Sequence, residues 1–197
     1  MRKGFVLTSL AALTVGVAFF TAEFGEAADK LVDQFVCNAV NMSGVGARKS
    51  GTIIIGIERW STEEERELLR NTFLQKGADA LLGALQSVKP RVGYIRASNT
   101  MGWDLYYARD TRNPDGTRKI FLATDRHMAF GEIARDTRST DYEFTLVEIH
   151  FDAKGKGEGK LSLAVKVDID PKTNQIELEN YAQRPVDLVN VTSKTPK

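Results

Sequence analysis

The chain has 197 residues, 42% of them hydrophobic, and 27 Lys and Arg against 26 Asp and Glu leave a formal charge of +1. That length supports one domain with a sizeable core, and the balanced charge argues against a dedicated nucleic-acid binder, whose domains usually carry a basic excess. Cys37 is the only cysteine, so an internal disulfide is excluded.

Met1, Arg2 and Lys3 precede an apolar run from Phe5 to Phe20, broken only by Thr8, Ser9, Thr14 and Gly16. A short basic segment before such a run is the layout of a secretory signal. Gly25 and Ala27 offer small residues for cleavage after Ala27, which makes residues 1–27 the signal and 28–197 one β-rich domain. Retention as an N-terminal anchor is the alternative, because the run approaches the ~17 residues of a membrane span. No later run reaches that length, so the expectation is an exported protein, periplasmic or secreted, without stable membrane insertion after cleavage.

Residues 31–42 read as a first strand. Within FVCNAV, Phe35, Cys37 and Ala39 share a face, so Cys37 reads as a buried structural thiol. The glycine-containing SGVGARKSG follows, and TIIIGIERW returns as a β-branched strand. GVGARKSG resembles a phosphate loop only superficially. Arg48 and Ser43 stand where its two glycines belong, and a strand follows where a helix N-terminus is needed to meet the anion.

Helix is concentrated at residues 61–87. Ser61 with Glu64 three residues on has the form of a capping box, and Glu63, Glu64 and Glu65 suit the positive end of the helix dipole. Leu68, Leu69, Thr72 and Phe73 recur on one face until Lys76 and Gly77 close the helix. A second helix, residues 78–87, stops before Pro90. This hairpin is expected to cover one end or the concave face of the sheet.

From Arg91 onward the pattern is strand and turn: RVGYIRAS, GWDLYYARDT, KIFLATDRHMAF, EFTLVEIHFD, KLSLAVKVDID, QIELENY and PVDLVNV. Pro114, Asp115 and Gly116 mark a hairpin turn, and DAKGKGEG and DPKTN read as further turns, with lysines at positions where calcium loops need oxygen ligands. In KLSLAVKVDI the positions Leu161, Leu163, Val165, Val167 and Ile169 are expected inward. The fold class is mainly β (α+β), an antiparallel curved sheet or barrel of about eight or nine strands with an inserted helical hairpin.

For function, Tyr94, Trp103, Tyr107 and Arg126 are candidates to line a small-molecule or peptide site in the curved sheet, since rings supply contact area and guanidinium groups bind anions. A metal-assisted hydrolase is the alternative: His127 and His150 would hold the ion, with Asp125 or Glu148 as general base, provided the two strands carrying them are neighbours. A scaffold that pairs a sheet edge with a partner strand is a third reading. No cofactor is implied, and the partner expected is a small molecule or peptide rather than nucleic acid. RWSTEEERELL, PRVGYIR, GWDLYYAR, IFLATDR, EFTLVEIHFDAKGKGEGKLSLA and ENYAQRPV together resemble blocks carried by a group of uncharacterised bacterial exported proteins. The resemblance implies a periplasmic or secreted setting and no activity.

Overall fold

Alternation of apolar and polar side chains is realised as buried and exposed positions along the strands, and two apolar layers result, one on each face of a single sheet. The computed structural model describes residues 31–40, 50–98, 102–125, 144–169, 176–180 and 184–194. Its elements run β1 (Asp33–Val40), β2 (Ser50–Ile57), α1 (Glu63–Lys76), α2 (Ala78–Ser87), β3 (Gly93–Ala97), β4 (Trp103–Leu105), β5 (Tyr107–Arg112), β6 (Arg118–Thr124), β7 (Phe144–Phe151), β8 (Gly157–Ile169), β9 (Ile176–Asn180) and β10 (Val186–Ser193). The sheet follows the order β4-β3-β2-β1-β10-β8-β7-β6-β5, antiparallel at every pairing, with β9 added to β8 off that path. The signal segment and the Ser43 to Lys49 part of the first turn lie outside the described residues.

The stretch GWDLYYARDT, expected as one strand, bends at Tyr106 into β4 and β5. On one side of the bend Leu105 pairs with Gly93, and on the other Tyr107 pairs with Ala123. The Tyr106 N–H reaches the Ala123 carbonyl at 3.0 Å. One run of chain thus joins both ends of the strand order, and the sheet curls into a nearly closed barrel. Close approach within the wall requires glycine in places: a Cβ on Gly157 would stand 2.5 Å from the Phe151 ring.

The barrel interior is solid among the described residues. Phe35, Ile53, Ile55, Ile57, Ile95, Leu105, Ile120, Leu122, Ile149, Leu161 and Leu188 have almost no exposed surface. Each such side chain contributes about 1.5–3 kcal/mol by leaving water. Cys37 sits among them, its thiol 3.8 Å from the Ile53 carbonyl and its pKa pushed up to about 12 by burial.

The helical hairpin lies elsewhere than expected. On β6, Ile120 and Leu122 enter the barrel core, while Phe121 and Ala123 on the opposite face pack with Leu69 and Phe73 of α1 and Leu85 of α2. The helices therefore cover the outer face of β5–β8, not the concave side. A register change makes room for them. Phe144 pairs with Val165 but Leu146 with Ser162, so β8 carries an extra residue. Leu161 and Leu163 face inward as expected, whereas Val165 is moved to the outer layer beside Phe144 and Leu146.

The cap of α1 also differs by one residue. Thr62, not Ser61, is the N-cap: its hydroxyl accepts from the Glu65 N–H at 3.2 Å, and the Glu65 carboxylate accepts from the Thr62 N–H at 3.0 Å. Ser61 instead docks on β5, donating its N–H to the Ala108 carbonyl at 2.8 Å and accepting the Ala108 N–H on its hydroxyl at 3.0 Å. Both residues have the hydroxyl a cap needs, and the strand claims the first.

Candidate functional site

The outer face of β6, β7, β8 and β10 carries polar side chains in register. Lys119 stands opposite His150, which stands opposite Glu158; Glu148 stands opposite Lys160, which stands opposite Asp187. A cleft of about 510 Å³ at the β5–β6 and β7–β8 turns is lined by Asn113, Thr117, Arg118, Lys119, His150, Phe151, Asp152, Lys156 and Glu158. A second cleft of about 560 Å³ is lined by Glu148, His150, Glu158, Gly159, Lys160, Asp187, Leu188 and Val189. They adjoin at His150 and Glu158, which line both, and the two clefts together make up the furrow of this face.

Strand structure begins earlier here than the glycine-rich sequence suggested. The turn is confined to the residues before Gly157, where the Asp152 carboxylate accepts the N–H groups of Lys154 at 2.9 Å and Lys156 at 2.8 Å and Gly155 takes a φ of 81°. Gly157 and Gly159 then lie within β8. This puts Lys156, Glu158 and Lys160 at alternate positions along one line of the furrow.

Glu148 is the most committed group on this face. Its Oε1 lies 2.6 Å from Lys119 Nζ and 2.7 Å from His150 Nε2. The Lys119 hydrogen bond, and then that of His150, hold its carboxyl below the usual carboxylate value against the opposing effect of partial burial.

The floor at the turn end is a buried ion network. Arg118 donates from Nη2 to Asp33 at 2.7 Å and from Nε to Asp110 at 2.8 Å, with side-chain exposures of 11%, 5% and 15% for Arg118, Asp33 and Asp110. Its guanidinium carbon lies 5.4 Å from the Phe35 ring centre and 5.8 Å from those of Trp60 and Phe151. Asp33 also accepts from Ser193 Oγ at 2.8 Å. Burial alone would lower the arginine pKa, but the carboxylate hydrogen bonds more than offset it and hold it above the ordinary value. Arg118 closes this end of the core, and its donors toward Asp33 and Asp110 are already taken.

No protein-family model, no curated protein and no solved structure matches the chain. The reading of this face therefore rests on its geometry.

The candidates named from sequence are distributed over three places. Tyr94 lies on the outer face of β3, over Gly56, with the Arg91 and Arg96 guanidinium groups 6.0 and 5.7 Å from its ring. Trp103 turns inward and packs against the barrel core. Tyr107 lies in the outer layer beneath the helices, edge-on to Phe121 with ring centres 6.2 Å apart. Because β4 and β5 part at Tyr106, these three rings do not line one pocket. Arg126 and His127 lie outside the described residues.

The strands from Ile120 and from Phe144, β6 and β7, are neighbours, but β6 ends at Thr124, before Asp125. Glu148 and His150 meet through their two-residue spacing on β7, while the register puts Asp125 beyond the Thr124–Thr145 pair, at the far end of the ladder from the Lys119–His150 pair. That is about 20 Å along the strand at ~3.3 Å per residue. Among the described residues no three His, Cys, Asp or Glu side chains converge as a metal site, and no helix is long and apolar enough to cross a membrane.

Lys119, Lys156, Glu158, Lys160 and Asp187 were not singled out from sequence. The available signal was the alternation of charged residues in KGKGEGK, which its glycines had made read as a turn.

Proposed function

We propose that this protein is an exported, non-enzymatic binding domain that takes an extended partner in the furrow across β6, β7, β8 and β10. One observation carries the reading: two clefts on the same outer face meet at His150 and Glu158, while the described interior of the barrel is filled by fully buried aliphatic and aromatic side chains. A packed interior offers no volume for a small ligand, whereas an open furrow in the wall admits a chain. The β10 wall adds a bulge there. Leu188 pairs with Gly159 and Val191 with Gly157, so two residues oppose Glu158, and Asn190 adopts a φ of 54°. Such bulges interrupt pairing and re-aim side chains. The apolar run and small-residue pattern before residue 28 support export.

The test is a titration followed by amide chemical shifts, using extended peptides of mixed charge and, separately, a set of small apolar ligands. Shifts gathered on Lys119, His150, Glu158, Lys160 and Asp187 with the peptides are the expected result. Saturable shifts at any other surface, or shifts with the small ligands alone, would overturn the assignment.

A further inference from the structure

Taking the furrow as the site of an extended partner, as above, we infer that it recognises a peptide segment whose charges alternate as acid, base, acid at every second residue. The inference comes from which charges the fold has already committed. Arg118 is engaged by Asp33 and Asp110, Glu148 by Lys119 and His150, and one oxygen of Asp152 by two turn N–H groups. Lys156, Glu158, Lys160 and Asp187 line the furrow without an ion-pair partner among the described residues. Lys160 lies in register with both Glu148 and Asp187 yet closes no ion pair with either.

From Lys156, the last residue of the turn, into β8 the uncommitted charges read positive, negative, positive at residues 156, 158 and 160, and all three side chains are exposed. Side chains on one face of a strand recur every ~6.6 Å, so Lys156 to Lys160 spans about 13 Å. An extended peptide laid in the furrow parallel to β8 presents its own alternate side chains at the same interval. Glu-x-Lys-x-Glu then meets Lys156, Glu158 and Lys160 one for one. A segment with the same charges on adjacent residues cannot, because half of its side chains point away. Asp187, beside Lys160, disfavours a second acid off that line.

Two fluorescent peptides of identical composition and about ten residues, long enough to cross the furrow when extended, test this. One carries Glu, Lys, Glu at alternate positions and the other carries them consecutively. The alternating isomer should bind the full mature chain about fivefold tighter or more in low salt, the size expected of several exposed ion pairs acting together. The double variant E158K/K160E keeps the net charge, alters only exposed side chains and should erase the preference. Equal binding of both isomers to the native chain, or a preference unchanged in the double variant, overturns the inference and leaves the furrow as a site. Binding of neither isomer, with no peptide shifting the furrow amides, removes the inference together with the reading beneath it.

Discussion

A buried charge is tolerated where every one of its partners is in place, and Arg118 meets that condition with two carboxylates and three rings. Removing one member strands the others. Arg118→Met should therefore destabilise the domain by about 3–5 kcal/mol in urea unfolding, because the buried Asp33 is left without a counter-charge and Asp110 keeps only the exposed Arg112, 3.1 Å away. The triple variant R118M/D33N/D110N should recover a large part of that loss; if it unfolds as early as the single variant, packing rather than charge governs the site. Cys37 shows the opposite case, a polarizable group buried with no charge at all. With its pKa raised to about 12 by burial, native protein should resist alkylation at pH 8, while protein in denaturant should react fully. Fast labelling of the folded chain would contradict its placement between β1 and the barrel core.

At the level of elements, local sequence decided type more securely than position. The α1 start has two hydroxyl residues in a row, and only the strand neighbouring Ser61 determines that Thr62 is the cap. Thr62→Ala should cost about 1 kcal/mol, the usual effect of losing an N-cap, as a lowered urea midpoint with unchanged slope. No change in midpoint would mean that Ser61 takes over the cap. The same division holds for β4 and β5: a strand pattern was legible throughout GWDLYYARDT, but the bend at Tyr106 answers to partners on two different strands. Likewise the face of Val165 depends on where β8 gains a residue against β7, and no periodicity within β8 contains that information. At the furrow, the face shared by Glu148 and His150 was readable from two-residue spacing. Lys160 and Asp187 were not, because they meet only through the β8–β10 pairing.

For the molecule as a whole, charge on the outer face connects stability to pH. Lys119 first, and then His150, lower the pKa of Glu148 from its ordinary 4.5. A carboxylate depressed in the folded state adds stability that is fully present above its ordinary value and is lost as pH falls through the lower folded value. Native protein should accordingly lose melting temperature below about pH 4.5 more steeply than Glu148→Gln, with the two profiles parallel above it; its 40% exposed side chain keeps the difference small. Identical acid limbs would show that the Lys119–Glu148–His150 row contributes nothing to folding. The sequence by itself determined a mainly β domain with one helical hairpin, because strand and helix periods, turn residues and caps are local properties of the chain. Only the tertiary structure decided that the hairpin covers the outer wall, that the described residues of the barrel interior are packed, and that β6, β7, β8 and β10 share a furrow. Those facts depend on strand order and register, which are chosen by contacts between residues far apart in the chain.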